Sequence, residues 1–340
     1  MTGRGCLNAT LDAAIAQRMF PGAAALIARG GDVLLCAGRG RHTSAPDAAL
    51  VTPATIYDLA SLTKLFTAAA ALRLVAAGVL DLDAPLTAYL PTSRAARVTI
   101  AHLLTHTSGL DLRLATLAHA GGAAAVRAGA YAAQPTHPPG RVAAYTNVNT
   151  FLLGEVVGLL AGNSLDRAID ALVCAPLGLA SVSFCPAAAI RTQIPPTEAD
   201  DLWRGGLVWG SVHDESAHAL AGVAGHAGLF GMLADLHRFA CVWLPGASFL
   251  PEELRQRALT NQTPQLPTAA GLGWMMDRAN FMGDVPGGTV GHTGFTGTAL
   301  VIEPASQTIV VLLSNRTYPR RDGPRPHKTM AMLVALALDA

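Results

Sequence analysis

The sequence predicts an α/β (α+β) fold, with a sheet assembled from both ends of the chain and a mainly helical region inserted between them. Three observations carry this: a β-rich stretch near each end, and helical periodicity through the middle. After a short N-terminal helix, "GAAALIARGGDVLLCAGRG" (22–40) is two apolar β-capable runs meeting at Gly30-Gly31, which is a hairpin pattern. Helical patterns follow at Leu62 to Ala77, Ile100 to Leu104, Phe151 to Leu160 and Leu165 to Leu172. The stretches 112–140 and 190–230 show no pattern that sets their course. "GTVGHTGFTGTALVIEPASQTIVVLLSNR" (288–316) then predicts strands at about Thr298 to Ile302 and Thr308 to Ser314, joined by a Pro-containing turn, with a final helix from about Lys328.

Bulk composition bounds the functional classes. With 340 residues, 51% hydrophobic and 14% charged, the chain can bury a large core as one large domain or two coupled ones. A net charge of +1, with acids and bases scattered, leaves no electrostatic footprint for nucleic acid or an anionic membrane, so a small molecule or short peptide is the expected partner. The first residues, "MTGRGCLNATLDAAIAQRMF", contain no signal-type apolar run, and no stretch approaches a bilayer span; the expected location is cytoplasmic. Five cysteines without CxxC spacing fit neither a disulfide framework nor a zinc site, and buried thiols are expected.

The chemistry begins at "YDLASLTKLF" (57–66). The chain has only two lysines, and Lys64 stands three residues after Ser61 at the start of an apolar helix. Lysine differs from arginine in that burial and neighbours can bring its amine to neutrality, which makes Lys64 a candidate base. On a helix the two side chains share a face, and the field at the helix N-terminus favours an alkoxide on Ser61. In "PPGRVAAYTNVNTFLLGEVVG", Tyr145 and Asn147 lie two apart on what reads as an extended loop and present a phenol and an amide to the same side. Tyr145 can share a proton with Lys64 as general base toward Ser61. In "GHTGFTGT", His292, Thr293 and Gly294 enter a β-strand, where the Phe295 N–H can join that of Ser61 in an oxyanion hole.

The SxxK, YxN and HTG elements occur in that order. With "VTIAHLLTHTSGL", "GLGW" and their own flanking phrases, they resemble the class C β-lactamase-like serine hydrolases, the penicillin-recognising enzymes, over most of the chain. The resemblance implies a β-lactamase/transpeptidase-like antiparallel sheet covered by helices, with an inserted helical domain and the active site between the two. Residues 1–60 and 231–340 would form the sheet domain, and 61–230 the helical domain carrying the nucleophile helix and the YxN loop. It further implies Ser61 as nucleophile, Lys64 and Tyr145 as the proton-transfer pair, Asn147 as a substrate-orienting amide, and His292, Thr293, Gly294 and Phe295 as the strand wall. The reaction would be acyl transfer through a covalent acyl-enzyme, with no cofactor and no metal.

One departure bears on substrate. Many β-lactamases of this family carry lysine where His292 stands, and histidine near its ordinary pKa is mostly neutral at pH of about 7 to 8, which weakens capture of a carboxylate. Arg316 is the candidate replacement. HTG resembles the variant in family esterases and D-Ala-D-Ala peptidases, so a carboxylic ester or small amide is the expected substrate. The alternatives are a β-lactamase, a D-Ala-D-Ala carboxypeptidase, a non-turnover penicillin-binding protein, or an inactive scaffold.

The stretch "SVHDESAHALAGVAGHAGLFG" (211–231) is rich in His and Gly but lacks HExxH or EF-hand spacing, and reads as a tight loop walling the cleft, with His213 and Asp214 structural. His102 and His106, four apart with no third ligand in view, are expected to hydrogen-bond at a helix end. A Ser-His-Asp triad is disfavoured because no GxSxG occurs.

Overall fold

The computed structural model describes residues 2–339. Its main sheet has six strands: β1 (Gly22–Arg29), β2 (Asp32–Gly40), β3 (Met275–Met276), β4 (Val290–Thr293), β5 (Ala299–Glu303) and β6 (Thr308–Ser314). Their order is β2-β1-β6-β5-β4-β3, with every neighbouring pair antiparallel, so the two ends of the chain meet at the β1–β6 pairing. Gly30 and Gly31 both hold positive φ (58° and 92°), as the expected two-residue hairpin turn requires.

Alternate residues of β1 and β6 enter two different cores, which explains why these strands read as continuous apolar runs. Leu26, Val311 and Leu313 face the larger core with the Thr63–Ala76 and Leu233–Cys241 helices. Ile27, Val310 and Leu312 face a second core closed by the Gly3–Ala16 and His327–Leu338 helices. In the larger core Phe66 stacks on Phe239 with centroids 4.0 Å apart, a contact whose truncation to alanine typically costs about 3–5 kcal/mol.

The expected helices form at Thr63–Ala76, Ile100–Leu104 and Asn147–Ala161, and Leu165–Ile169 continues through further helical turns to Leu177. The helix Leu114–Ala132, in the segment without a readable course, is Ala-rich and broken by non-helical backbone at Gly121 and Gly122, so it offers little apolar contrast at a 3.6-residue period. Two short pieces of sheet, Tyr57–Asp58 with Leu229–Gly231 and Ser183–Phe184, and Glu198–Asp200 with Gly206–Val208, are too brief for an alternating pattern.

Two local readings need correction. His292 and Thr293 end strand β4 rather than enter a strand, because Gly294 begins the turn to β5. All five cysteines are unpaired, but only Cys174 is buried; Cys185 is exposed and the other three lie between, on surfaces only partly covered by neighbouring elements.

Candidate active site

Ser61 lies in a single 3₁₀ turn (Ala60–Leu62) between the strand Tyr57–Asp58 and the Thr63–Ala76 helix, one step ahead of the regular helix. Ala60 holds φ of +46°, a conformation that costs an L-residue roughly 1–2 kcal/mol. The buried Asp58 carboxylate holds the turn by accepting the Ala60 N–H (2.8 Å) and the His213 N–H (2.6 Å). Thr296 donates its hydroxyl to the Asp58 carbonyl (2.8 Å), and Thr298 donates to that of Leu59 (3.0 Å). These bonds fasten the Ser61 turn to the β4–β5 turn carrying Phe295, whose N–H has no backbone partner among the described residues.

Close approach at this junction requires glycine at 294. A Cβ there would collide with the Thr298 hydroxyl and lie 2.7 Å from the Leu59 carbonyl oxygen. Gly294→Ala is therefore expected to destabilise by about 1–3 kcal/mol, lowering Tm by several degrees and kcat with it. Scanning calorimetry alongside an ester assay checks this, and a variant matching wild type in both would dissolve the clamp.

Lys64 is 1% exposed, and its Nζ donates to Ser61 Oγ (2.8 Å) and to the His226 carbonyl (3.1 Å). The Tyr145 hydroxyl donates to the same Ser61 Oγ (2.9 Å), and Lys64 Nζ lies 4.9 Å from the Tyr145 ring centroid. Tyr145 is on a loop as expected, but Asn147 starts the Asn147–Ala161 helix, with extended backbone only at Thr146 between them. Asn147 Nδ2 donates to Asp214 Oδ2 (3.4 Å). The three motifs thus converge on Ser61 at a cavity of about 610 Å³, which Ser61, Tyr145, Asn147, His292, Thr293, Gly294 and Phe295 help to line.

The sequence matches the Beta-lactamase family over residues 7–334. This chain belongs to the beta-lactamase family. Esterase EstB of Burkholderia gladioli is 30% identical to it over 377 aligned positions, covering 94% of this chain and 92% of the relative. A provisionally named D-alanyl-D-alanine carboxypeptidase of Escherichia coli (strain K12) is 30% identical over 318 positions, covering 82% of this chain and 73% of the relative. The octameric penicillin-binding protein homologue from Pyrococcus abyssi superposes with a TM-score of 0.80 at 25% identity, covering 98% of this chain and 77% of that one. Within the beta-lactamase family, and with relatives of these kinds, the chain is a serine hydrolase.

The charge around this beta-lactamase-family site was only partly legible in sequence. His292 is 2% exposed; burial, and then the nearby Lys64 ammonium, push its imidazole down to about 3. Its Nδ1 faces the Thr293 carbonyl at 2.8 Å. Arg316, the expected substitute cation, is held by three carbonyls: Nε donates to that of Phe295 (2.8 Å) and Nη1 to those of Arg321 (3.1 Å) and Gly323 (2.8 Å). Its guanidinium also lies over the Phe295 ring, 4.4 Å from the centroid, and the residue lines the cavity as expected.

The 211–231 stretch does wall the cleft, but it also contains the helix Glu215–Ala219 and the strand Leu229–Gly231. Gly225 presses against the Asn147–Ala161 helix, where any Cβ would collide with the Thr150 carbonyl. Burial alone would raise the Asp214 carboxyl, but His226, the Ser216 hydroxyl and the Ala217 N–H outweigh it and hold the group well below the usual carboxylate range. Asp214 is thus an ionised cavity wall that reads from sequence only as structure. Ser216, His226 and Asp214 do not make a triad: Ser216 is 0% exposed, and its hydroxyl and the Asp214 carboxylate both meet His226 Nε2, whereas a relay uses opposite ring nitrogens.

His213 packs on Phe295 (centroids 5.5 Å) and pairs through Nε2 with Glu198 (2.9 Å), which also receives Arg321. Burial raises the Glu198 carboxyl, but the His213 and Arg321 contacts dominate and bring it to about 2. Because the folded value is depressed, this group stabilises the fold above the unfolded carboxylate value of about 4.3 and loses that contribution as pH falls toward 2. The stability gap between wild type and Glu198→Gln should shrink across that window in urea titrations; a gap that stays constant would remove Glu198 as its source.

Proposed function

We propose that the protein hydrolyses small neutral carboxylic esters through an acyl-enzyme on Ser61. The observation that carries the mechanism is the convergence of Lys64 Nζ (2.8 Å) and the Tyr145 hydroxyl (2.9 Å) on one serine oxygen. When the Lys64–Tyr145 pair is one proton short, it takes the Ser61 hydroxyl proton as Oγ bonds to the ester carbonyl carbon. The oxyanion then lies toward the Ser61 and Phe295 N–H groups. Collapse breaks the bond to the alcohol oxygen, which receives the proton from Tyr145. Water then attacks the acyl-enzyme by the reverse sequence and frees the acid.

Support for a neutral ester comes from the strand wall: His292 is neutral, and Arg316, although it lines the cavity, gives three of its N–H groups to carbonyls. A second reading, amide or β-lactam substrates with a carboxylate, is favoured by Arg325, which lines the cavity without an acid partner among the described residues. Intact-mass spectrometry after brief mixing with p-nitrophenyl acetate or benzylpenicillin separates the two. A Ser61-dependent acetyl adduct that forms and clears supports the esterase; a persistent penicilloyl adduct without ester turnover supports the second reading. Turnover that persists undiminished in Ser61→Ala excludes both.

A further inference from the structure

His106 lines the cavity beside Tyr145, with ring centroids 4.8 Å apart. Its backbone is held at φ of +56°, in the left-handed region. The residue braces the Tyr145 segment at two points. Its carbonyl accepts the Ala144 N–H (2.9 Å), and its ring Nδ1 accepts the Thr146 N–H (3.3 Å).

The same contacts determine the tautomer. A backbone N–H only donates, so Nδ1 must present a lone pair to Thr146. Asn149 agrees: its Oδ1 takes the Ser108 hydroxyl (2.6 Å), and its Nδ2 faces His106 Nδ1 at 3.1 Å. Burial, together with Lys64 and His292, holds the ring neutral, well below the ordinary histidine range. A neutral imidazole with Nδ1 accepting carries its proton on Nε2. His106 is only half-buried, and its Nε2 is not sealed inside the protein. With no bond to the described residues, that N–H opens to the cavity.

We propose that His106 is a substrate-contacting residue whose Nε2–H donates a hydrogen bond to an acceptor oxygen in the alcohol half of the ester, while its Nδ1 and carbonyl position Tyr145. The alcohol half is specified because this inference rests on the esterase reading, in which Tyr145 returns the proton to the departing oxygen and His106 shares its wall. The substrate class is therefore an ester of an oxygen-bearing alcohol, an ether or polyol rather than a plain alkyl chain.

The two ring nitrogens can be tested separately. His106→Asn keeps an acceptor near Nδ1, suits the left-handed backbone and removes the Nε2 donor; His106→Gln keeps a donor near Nε2 and removes the brace. Each enzyme is assayed with 2-methoxyethyl acetate and n-butyl acetate, which differ by one oxygen for one methylene. Taking the ratio of the two kcat/KM values relative to wild type cancels their intrinsic reactivities. His106→Asn is expected to lower the methoxyethyl preference about five- to tenfold, the effect of one hydrogen bond to substrate. His106→Gln is expected to lower kcat for both esters while keeping the preference. Turnover with a preference unchanged in His106→Asn, or lost equally in both variants, overturns this inference alone. Absence of Ser61-dependent turnover of either ester overturns the esterase reading and this inference with it.

Discussion

Ser61→Ala will form no acyl adduct with p-nitrophenyl acetate, and its kcat will fall by roughly 10⁴-fold or more, the scale on which removal of a nucleophile acts. The side chain is small, and its contacts beyond the turn are the hydrogen bonds from Lys64 and Tyr145. The backbone of the turn is held instead by Asp58, Thr296 and Thr298. The variant should therefore unfold within a few degrees of wild type, with the cavity intact. Intact mass, residual rate and a melting curve together decide the matter. An adduct surviving on the alanine variant would move the nucleophile elsewhere and sink the assignment.

The second large effect is at Lys64. This side chain is 1% exposed, and its amine is the inner wall of the serine site, between Ser61 Oγ and the His226 carbonyl. Lys64→Arg should lose about 10³-fold or more in kcat, because a guanidinium stays charged and its larger planar group does not fit a close-packed position. Lys64→Met removes the amine while keeping the chain length, so it separates loss of the base from overpacking. Both variants are expected to be inactive, with Lys64→Met retaining a melting temperature near wild type, since its unbranched chain fills the same buried space. A Lys64→Met enzyme with more than about a tenth of wild-type kcat would take this lysine out of proton transfer.

These two residues were legible in sequence for a chemical reason: in a chain with two lysines, a lysine three residues after a serine at a helix start is a local pattern whose geometry the helix supplies. Tyr145 and the HTG segment were legible through their order along the chain, although neither could be placed against Ser61 without the fold. Asp58 carried no comparable signal. It lies three residues before Ser61, but its work is to accept N–H groups from Ala60 and from His213, 155 positions away.

What the sequence by itself determined is the element pattern and the local residue pattern: the hairpin at Gly30-Gly31, the two apolar strands at the core of the sheet, the main helices, and the serine, lysine and tyrosine whose side chains meet at the cavity. Periodicity, turn residues and short spacings encode these, because each depends on neighbours within a few residues. What only the tertiary structure decided is the electrostatic character of the cavity. Arg316 was expected to face the substrate, and it lines the cavity while three carbonyls hold its guanidinium; Asp214 was read as structural and is an ionised wall; His106 was read as a helix-end hydrogen-bonding residue, and it bonds there while also lining the cavity. Charge, tautomer and accessibility depend on burial and on partners distant in sequence, and no local pattern carries them.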